Sequence, residues 1–452
     1  MSLQRLAIAC ALGFPGLLAS NADAQTITIR IGHQSMCTDT YPAGVVIKGL
    51  HLLRKYLPHT GKYKDVSYRI VWRDYDSGAP ITNMMLANKL DFGVMGDYPL
   101  VVNGAKFQQT RDARSMLISM TAYNLDGAGN SIAVPASSPI TSVKQLVGKD
   151  ISVPIGSSAW GMLYEMAKQE GLKFSDFKVS NQTPMVGITA IAARKIDAHA
   201  DFCPMTEYME YKGTGRMIYS GAQTGVPYLH GVVVTKAFAQ QYPEIVVAYA
   251  KAVIAADQWI ADNPYAASKQ MSAWTMIPKE VLYLYYSHGG YLTTDPTIKP
   301  KWLDTLKYDH ALLATYAHIP PLDMGAWVNP SYLQTAYKEM GLHYARQAAV
   351  LKDPRKDVGM PPEIWVAGQG IRQYKTNQLM FAALGSLSHD GKKVDATYVY
   401  DADSGLKMFG NTAWYVKDGG TIKAYLTKGE AMKQSRAGGG EVMSFAQLRA
   451  AV

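Results

Sequence analysis

Ser77-Gly78-Ala79-Pro80, followed by Asn88-Lys89-Leu90-Asp91-Phe92-Gly93-Val94-Met95-Gly96-Asp97, decides the fold of this chain. Pro80 opens a helix whose Ile81, Met84 and Met85 form one apolar face, and Asp91 closes it. Phe92 to Met95 is a short apolar run, the pattern of a strand buried on both faces. A second phrase follows: Ser131-Ile132-Ala133-Val134-Pro135 leads through Val143-Lys144-Gln145-Leu146-Val147-Gly148-Lys149 to Gly156-Ser157-Ser158.

Upstream, Thr26 to Ile31 alternates with period two and predicts an opening strand. Val46, Leu50, Leu53 and Leu57 repeat at helical spacing, with Thr40 or Tyr41 as cap and Pro42 in the first turn. Val66 to Val71 is a second strand, so the segment reads βαβαβ, a parallel sheet with crossover helices. The rhythm returns downstream. Ile151 to Val153 is a strand, Gly156-Ser157-Ser158 turns into a helix carrying Leu163, Met166 and Ala167, and Phe177 to Val179 is the next strand. Pro184 opens a helix with Met185, Ile188 and Ile191, and Asp197 to Phe202 ends the unit. Gly231 to Val234 reads as a strand returning to the first unit. Pro243 to Asp262 is a long helix stopped by Asn263-Pro264, and Trp302 to Ala349 is a helical, aromatic buttress.

The two phrases are similar to those of the nitrate, aliphatic-sulfonate and taurine branch of the periplasmic solute-binding proteins that feed ABC importers. The resemblance runs in order from about Ile27 to Ala267, and the segment to residue 350 is taken with it. It implies an α/β two-lobe periplasmic binding protein, type II-like, whose βαβ-rich lobes close about a hinge on a small ligand. Lobe 1 is expected over 25–122 and 228–352, and lobe 2 over 123–227. The resemblance further implies an ABC permease and its ATPase as partners, no cofactor and no catalysis. A thiamine-pyrimidine synthase family resembles the same fold, but its dense Cys/His motif is absent, as are Gly-x-Ser-x-Gly, P-loop and His-Glu-x-x-His motifs.

The chain changes character near Asp353-Pro354-Arg355-Lys356-Asp357, and 360–452 reads as a small α+β domain. From about Val394 to Leu448 it resembles the NosL family of periplasmic copper chaperones. The match rests on Tyr398-Val399-Tyr400-Asp401, Ala413-Trp414-Tyr415-Val416 and Gly439-Gly440-Glu441-Val442-Met443-Ser444-Phe445. That family carries a Cys-Gly-Met copper motif, whereas this segment has no cysteine. Only the fold carries over, with a periplasmic partner as the expected target.

In two-lobe α/β proteins the loops at the carboxyl ends of parallel strands line the crevice. Four loops meet that description: His33-Gln34-Ser35-Met36-Cys37, Ser77-Gly78-Ala79, Gly156-Ser157-Ser158-Ala159-Trp160, and the loop Phe202-Cys203-Pro204-Met205 after Asp201. Free backbone N–H groups and the positive dipole end of a helix attract an anion, so a small anion is expected there, and the resemblance implies an anionic or organosulfur compound of the sulfonate, taurine or nitrate type. Ser77, Ser157 and Ser158 add hydroxyls, and Gly78 and Gly156 permit close approach. Ser77 or Ser158 as a plain helix cap is the competing reading. Trp160 is a candidate wall for an apolar tail. Gly96 and Asp97 border the cleft by the resemblance, Asp97 either binding a cationic group or bracing a turn. His33, Gln34, Ser35, Asp201 and Cys203 complete the expected ligand-binding set.

Soft donors share these loops. His33, Met36, Cys37, Cys203 and Met205, with nearby His199, make a candidate set for a thiophilic metal such as Cu(I), the copper-handling alternative to solute capture. A Cys37–Cys203 disulfide and free thiols lining an ordinary pocket are the other two readings.

The ends and the composition bound the rest. Arg5, the apolar run Leu6 to Leu18 and Ala22-Asp23-Ala24 read as a signal peptide over 1–24, cleaved near Ala24-Gln25, which directs a periplasmic protein without stable membrane insertion. A formal charge of +9 over 452 residues, without basic runs, argues against nucleic acid and gives only a mild preference for an anionic ligand. At 48% hydrophobic, the chain has material for full cores.

Overall fold

A computed structural model describes residues 25–111, 114–353, 355 and 359–451. The expected leader lies outside the described residues.

The period-two stretch forms β1 (Thr26–His33), with Ile27, Ile29 and Ile31 turned into the core. It is followed by β2 (Ser67–Asp74), β3 (Phe92–Gly96), wholly buried, and β4 (Ser115–Asn124). Then come β5 (Ser131–Pro135), β6 (Asp150–Val153), β7 (Lys178–Asn181), β8 (Ala198–Asp201) and β9 (Gly215–Ser220). The chain returns through β10 (Tyr228–Thr235) and the short β11 (Thr293–Thr294).

Two sheets of like build result. The first runs β11-β4-β10-β3-β1-β2 and the second β7-β6-β8-β5-β9. In each, three strands are parallel (β2-β1-β3 and β7-β6-β8), and an antiparallel strand closes the set, β10 against β3 and β5 against β8. Helices Gly78–Leu86, Ser158–Gln169 and Pro184–Ala192 form the expected crossovers. The chain passes between the sheets twice, from β4 to β5 and from β9 to β10. Asn124 Oδ1 pins the first passage by accepting from the amides of Asp126, Gly127 and Ala128 at 3.0, 2.9 and 3.0 Å. This is the two-lobe periplasmic binding-protein fold.

One helix differs from expectation. Val46 to Leu57 is broken into Val45–Gly49 and Leu52–Tyr56, because His51 takes a left-handed conformation (φ 55°) between them. Pro42 sits inside a preceding 3₁₀ turn, Thr38–Ala43, and Gly44, not Thr40 or Tyr41, stands at the helix start. The long helix Pro243–Asp262 has the expected bounds, and Asn263 caps the next helix, Pro264–Thr275, accepting from Ala266 N at 3.0 Å. The buttress packs on the first sheet through fully buried Trp302, 4.6 Å from Tyr123 between ring centroids. Among the described residues no helix is long and apolar enough to cross a membrane.

The C-terminal part adds β12 (Glu363–Val366), β13 (Gly370–Gln373), β14 (Val394–Tyr400), β15 (Lys407–Phe409), β16 (Trp414–Asp418), β17 (Thr421–Tyr425) and β18 (Glu441–Ser444). They form two antiparallel sheets, β13-β12-β14-β15 and β17-β16-β18. This module touches both lobes. Tyr398 donates to Glu280 O at 3.0 Å, and buried Lys407 pairs with Glu363 at 2.7 Å while donating to Ser287 Oγ at 2.8 Å. On the second lobe, Tyr211 lies 5.8 Å from Phe409 between ring centroids, and Gln223 Nε2 donates to Glu430 Oε1 at 2.9 Å.

Candidate functional site

The carboxyl ends of β1, β2, β3, β6 and β8 converge where the lobes meet. Between them lies a small cavity of about 20 Å³, lined by Gln34, Cys37, Ser77, Gly78, Gly96, Gly156, Ser157, Ser158, Phe202, Tyr228 and His230 among others. That volume holds one or two water-sized occupants, so the lobes are drawn together.

Each helix start is built by its own residues. Ser77 precedes helix Gly78–Leu86 in extended conformation, but its side chain makes no capping bond. Its hydroxyl lines the cavity instead. Gly78 is required by a close approach, since a Cβ there would run into the Pro99 ring. Gly156 sits at φ +83°, where side chains are disfavoured. Ser157 is the cap, its Oγ accepting from Trp160 N at 3.3 Å. Ser158 does something else: it donates across the interface to Asp97 Oδ1.

Asp97 is therefore a brace between lobes. Its Oδ1 also accepts from Tyr98 N at 2.8 Å and its Oδ2 from Leu229 N at 2.9 Å. Burial nonetheless pushes its carboxyl up to about 6, against these bonds. Gln34 Nε2 donates to Val94 O at 3.3 Å. Gly96 packs so closely that a Cβ would meet Ser158 Oγ at 3.1 Å and His230 Nε2 at 3.3 Å.

Other expected residues lie elsewhere. Ser35 is tied to Asp74, its amide 2.7 Å from Oδ1 and its hydroxyl donating to Oδ2. His33 is buried edge-on against Trp72, with centroids 5.4 Å apart and both ring nitrogens unpartnered. Burial holds it down to about 4. Trp160 packs on Tyr164 (5.0 Å between centroids) in a core that runs across both lobes, and it is not among the cavity-lining residues. Asp201 is spent on His199 Nε2 at 2.7 Å and Phe202 N at 2.8 Å, and His199 Nδ1 meets Ser152 Oγ at 2.8 Å. Met205 packs in the second lobe with Ile188, Ile191 and Met209, and Met36 lies against that group.

The thiols do meet. Cys37 Sγ and Cys203 Sγ are 3.1 Å apart, both free and buried. The third member is His230, whose Nε2 is 3.3 Å from Cys37 Sγ and 3.1 Å from Tyr228 Oη. Tyr228 Oη is 3.5 Å from Cys203 Sγ. Sequence reasoning missed His230 and Tyr228. The available signal was their i, i+2 spacing on one strand, which puts both side chains on one face. Burial drives the His230 imidazole down to about 3, raises both thiols, and raises nearby Asp39 to about 6. Among the described residues, no lysine or arginine lines the cavity.

Residues 75–267 match the family described as NMT1/THI5 like. The taurine-binding periplasmic protein of Escherichia coli K12 is 31% identical over 210 residues, covering 46% of this chain and 62% of that protein. The chain spans under two thirds of that relative's length. Among solved structures, the alkanesulfonate-binding protein SsuA from Xanthomonas axonopodis pv. citri, bound to MOPS, superposes with a TM-score of 0.57 at 19% identity, covering 68% of this chain and 99% of that one. The periplasmic aliphatic sulphonate binding protein SsuA from Escherichia coli gives 0.54 at 19% identity, covering 69% and 99%. At these identities the superpositions speak to the fold.

Proposed function

We propose that the chain is a periplasmic solute-binding protein of an ABC importer, not an enzyme. It captures a small anionic or organosulfur compound of the sulfonate or taurine type by hinge closure. The observation that carries this reading is the convergence of the Gly78 and Ser158 helix starts on one cavity, joined across the lobes by Ser158 and Asp97. The taurine-binding relative supports the solute class. The helix amides, the uncommitted Ser77 hydroxyl and Gln34 hold the anionic head. With no lysine or arginine among the described residues of the lining, its charge is met by helix dipoles and these neutral donors. Opening widens the cavity, and the solute favours the closed arrangement because only there do both helix starts reach it. The permease and ATPase recognise the closed form, and the C-terminal module, NosL-like by its sequence resemblance, contacts a periplasmic partner.

Calorimetry with taurine and short alkanesulfonates tests the reading. Binding by at least one is expected, and Ser77→Ala removes about 1 kcal/mol, roughly a fivefold loss. Absence of heat with every compound in that series, from a protein that melts cooperatively, sinks it.

A further inference from the structure

The three donors at the cleft come from three separate places: Cys37 from the loop after β1, Cys203 from the loop after β8 and His230 from β10. Their donor atoms all lie within 4.8 Å of one another. We propose that Cys37, Cys203 and His230 form a binding site for a thiophilic d10 metal cation, Cu(I) or Zn(II), which bridges the two lobes. The site shares the cleft with the solute reading but does not rest on it.

Two thiolates and an imidazole are the donor set that such cations select. Three donors complete a trigonal Cu(I) site, whereas Zn(II) takes a fourth ligand from the cavity. The imidazole is set up for the task. Its Nε2 faces the thiols, and its buried Nδ1, with no hydrogen-bond partner, faces Asp39 Oδ2 at 3.5 Å. A ligating histidine commonly gives its second ring N–H to a carboxylate, which fixes the tautomer, so Asp39 is a positioning residue. The adjoining cavity of about 20 Å³ suits an occupant of ionic size.

The reduced protein, held anaerobically, is titrated with Cu(I) and separately with Zn(II), each against a chromophoric chelator. Uptake of about one cation with release of about two protons per cation is expected. Cys37→Ser, Cys203→Ser and His230→Gln should each abolish it, and Asp39→Asn should weaken it by about 10–100-fold. The arm that binds more tightly identifies the cation. X-ray absorption on the loaded, unsubstituted protein should show two sulfur neighbours and a nitrogen, a readout independent of how the variants fold. No uptake of either cation, uptake without proton release, or a coordination shell without sulfur overturns the proposal. So does a Cys37–Cys203 disulfide in the isolated protein if the reduced form takes up neither cation. Taurine calorimetry on metal-free protein reports the solute reading separately.

Discussion

A carboxyl group buried with three donors around it, such as Asp97, shows which effect wins at the centre of this molecule. Its hydrogen bonds favour the charged form, yet burial leaves it near 6. Glu207 is near 7, and Glu210 is near 8 through burial and the repulsion of Glu207. These folded carboxyls keep protons that the unfolded chain releases above about 4, so their contribution to stability falls as pH rises from about 4 to 8. His230 works in the opposite direction. Folded it is neutral down to about 3, so stability is lost as pH drops below its unfolded value of 6.5. Glu210→Gln keeps an acceptor for Met217 N and should flatten the fall in melting temperature between pH 5 and pH 8; an unchanged slope would remove Glu210 from the account. Ser158→Ala should cost about 1–3 kcal/mol in urea unfolding, because it strips a donor from a buried carboxyl. The cleft positions of Gly78, Ser157 and Ser158 were legible in the local strand-to-helix turns, while that of Gly96 came from the resemblance. His230 and Asp39 were not, because their meeting with Cys203 depends on pairing between distant strands.

Among the elements, the parallel strands of both sheets and the crossover helices from Gly78, Ser158 and Pro184 followed the periodicity closely, since buried parallel strands and amphipathic helices leave clear patterns, whereas β4 and β9 were not read. The failure at Val46 to Leu57 is informative. The apolar spacing was right, but periodicity does not register a single left-handed residue, and His51 breaks the helix there. Trp160 shows a related limit of the pattern. Its place near a helix start suggested the cleft, while rotation about the helix turns its ring to Tyr164. The start of helix Gly78–Leu86 is the most constrained element of the cleft, because Pro99 occupies the space a side chain would need. Gly78→Ala is expected to destabilise by about 1–3 kcal/mol through overpacking, seen as a lower urea midpoint with an unchanged slope. A midpoint equal to that of the parent would mean that Pro99 yields freely.

Taken whole, the molecule is two lobes with a third body laid against both. That arrangement was only half legible: the α+β character of 360–452 could be read locally, whereas a docking surface made of Tyr211, Phe409, Gln223 and Glu430 leaves no periodic trace. Separation of the lobes must strain either the Tyr398–Glu280 and Lys407–Ser287 side of this module or its Tyr211–Phe409 side. Replacing Tyr211 and Gln223 together by Ala should enlarge the radius of gyration of the unliganded protein in solution scattering; identical profiles would show that the module rides on one lobe without resistance. Affinity belongs to a population as well as to a pocket, and apparent binding weakens by the fraction of molecules poised to bind. If the scattering profile changes as expected, a surface outside the cavity lining sets how much of the protein is receptive at any moment. On the proposed reading, whatever grips that surface in the cell would tune solute binding as a rheostat does, leaving every contact to the solute unchanged.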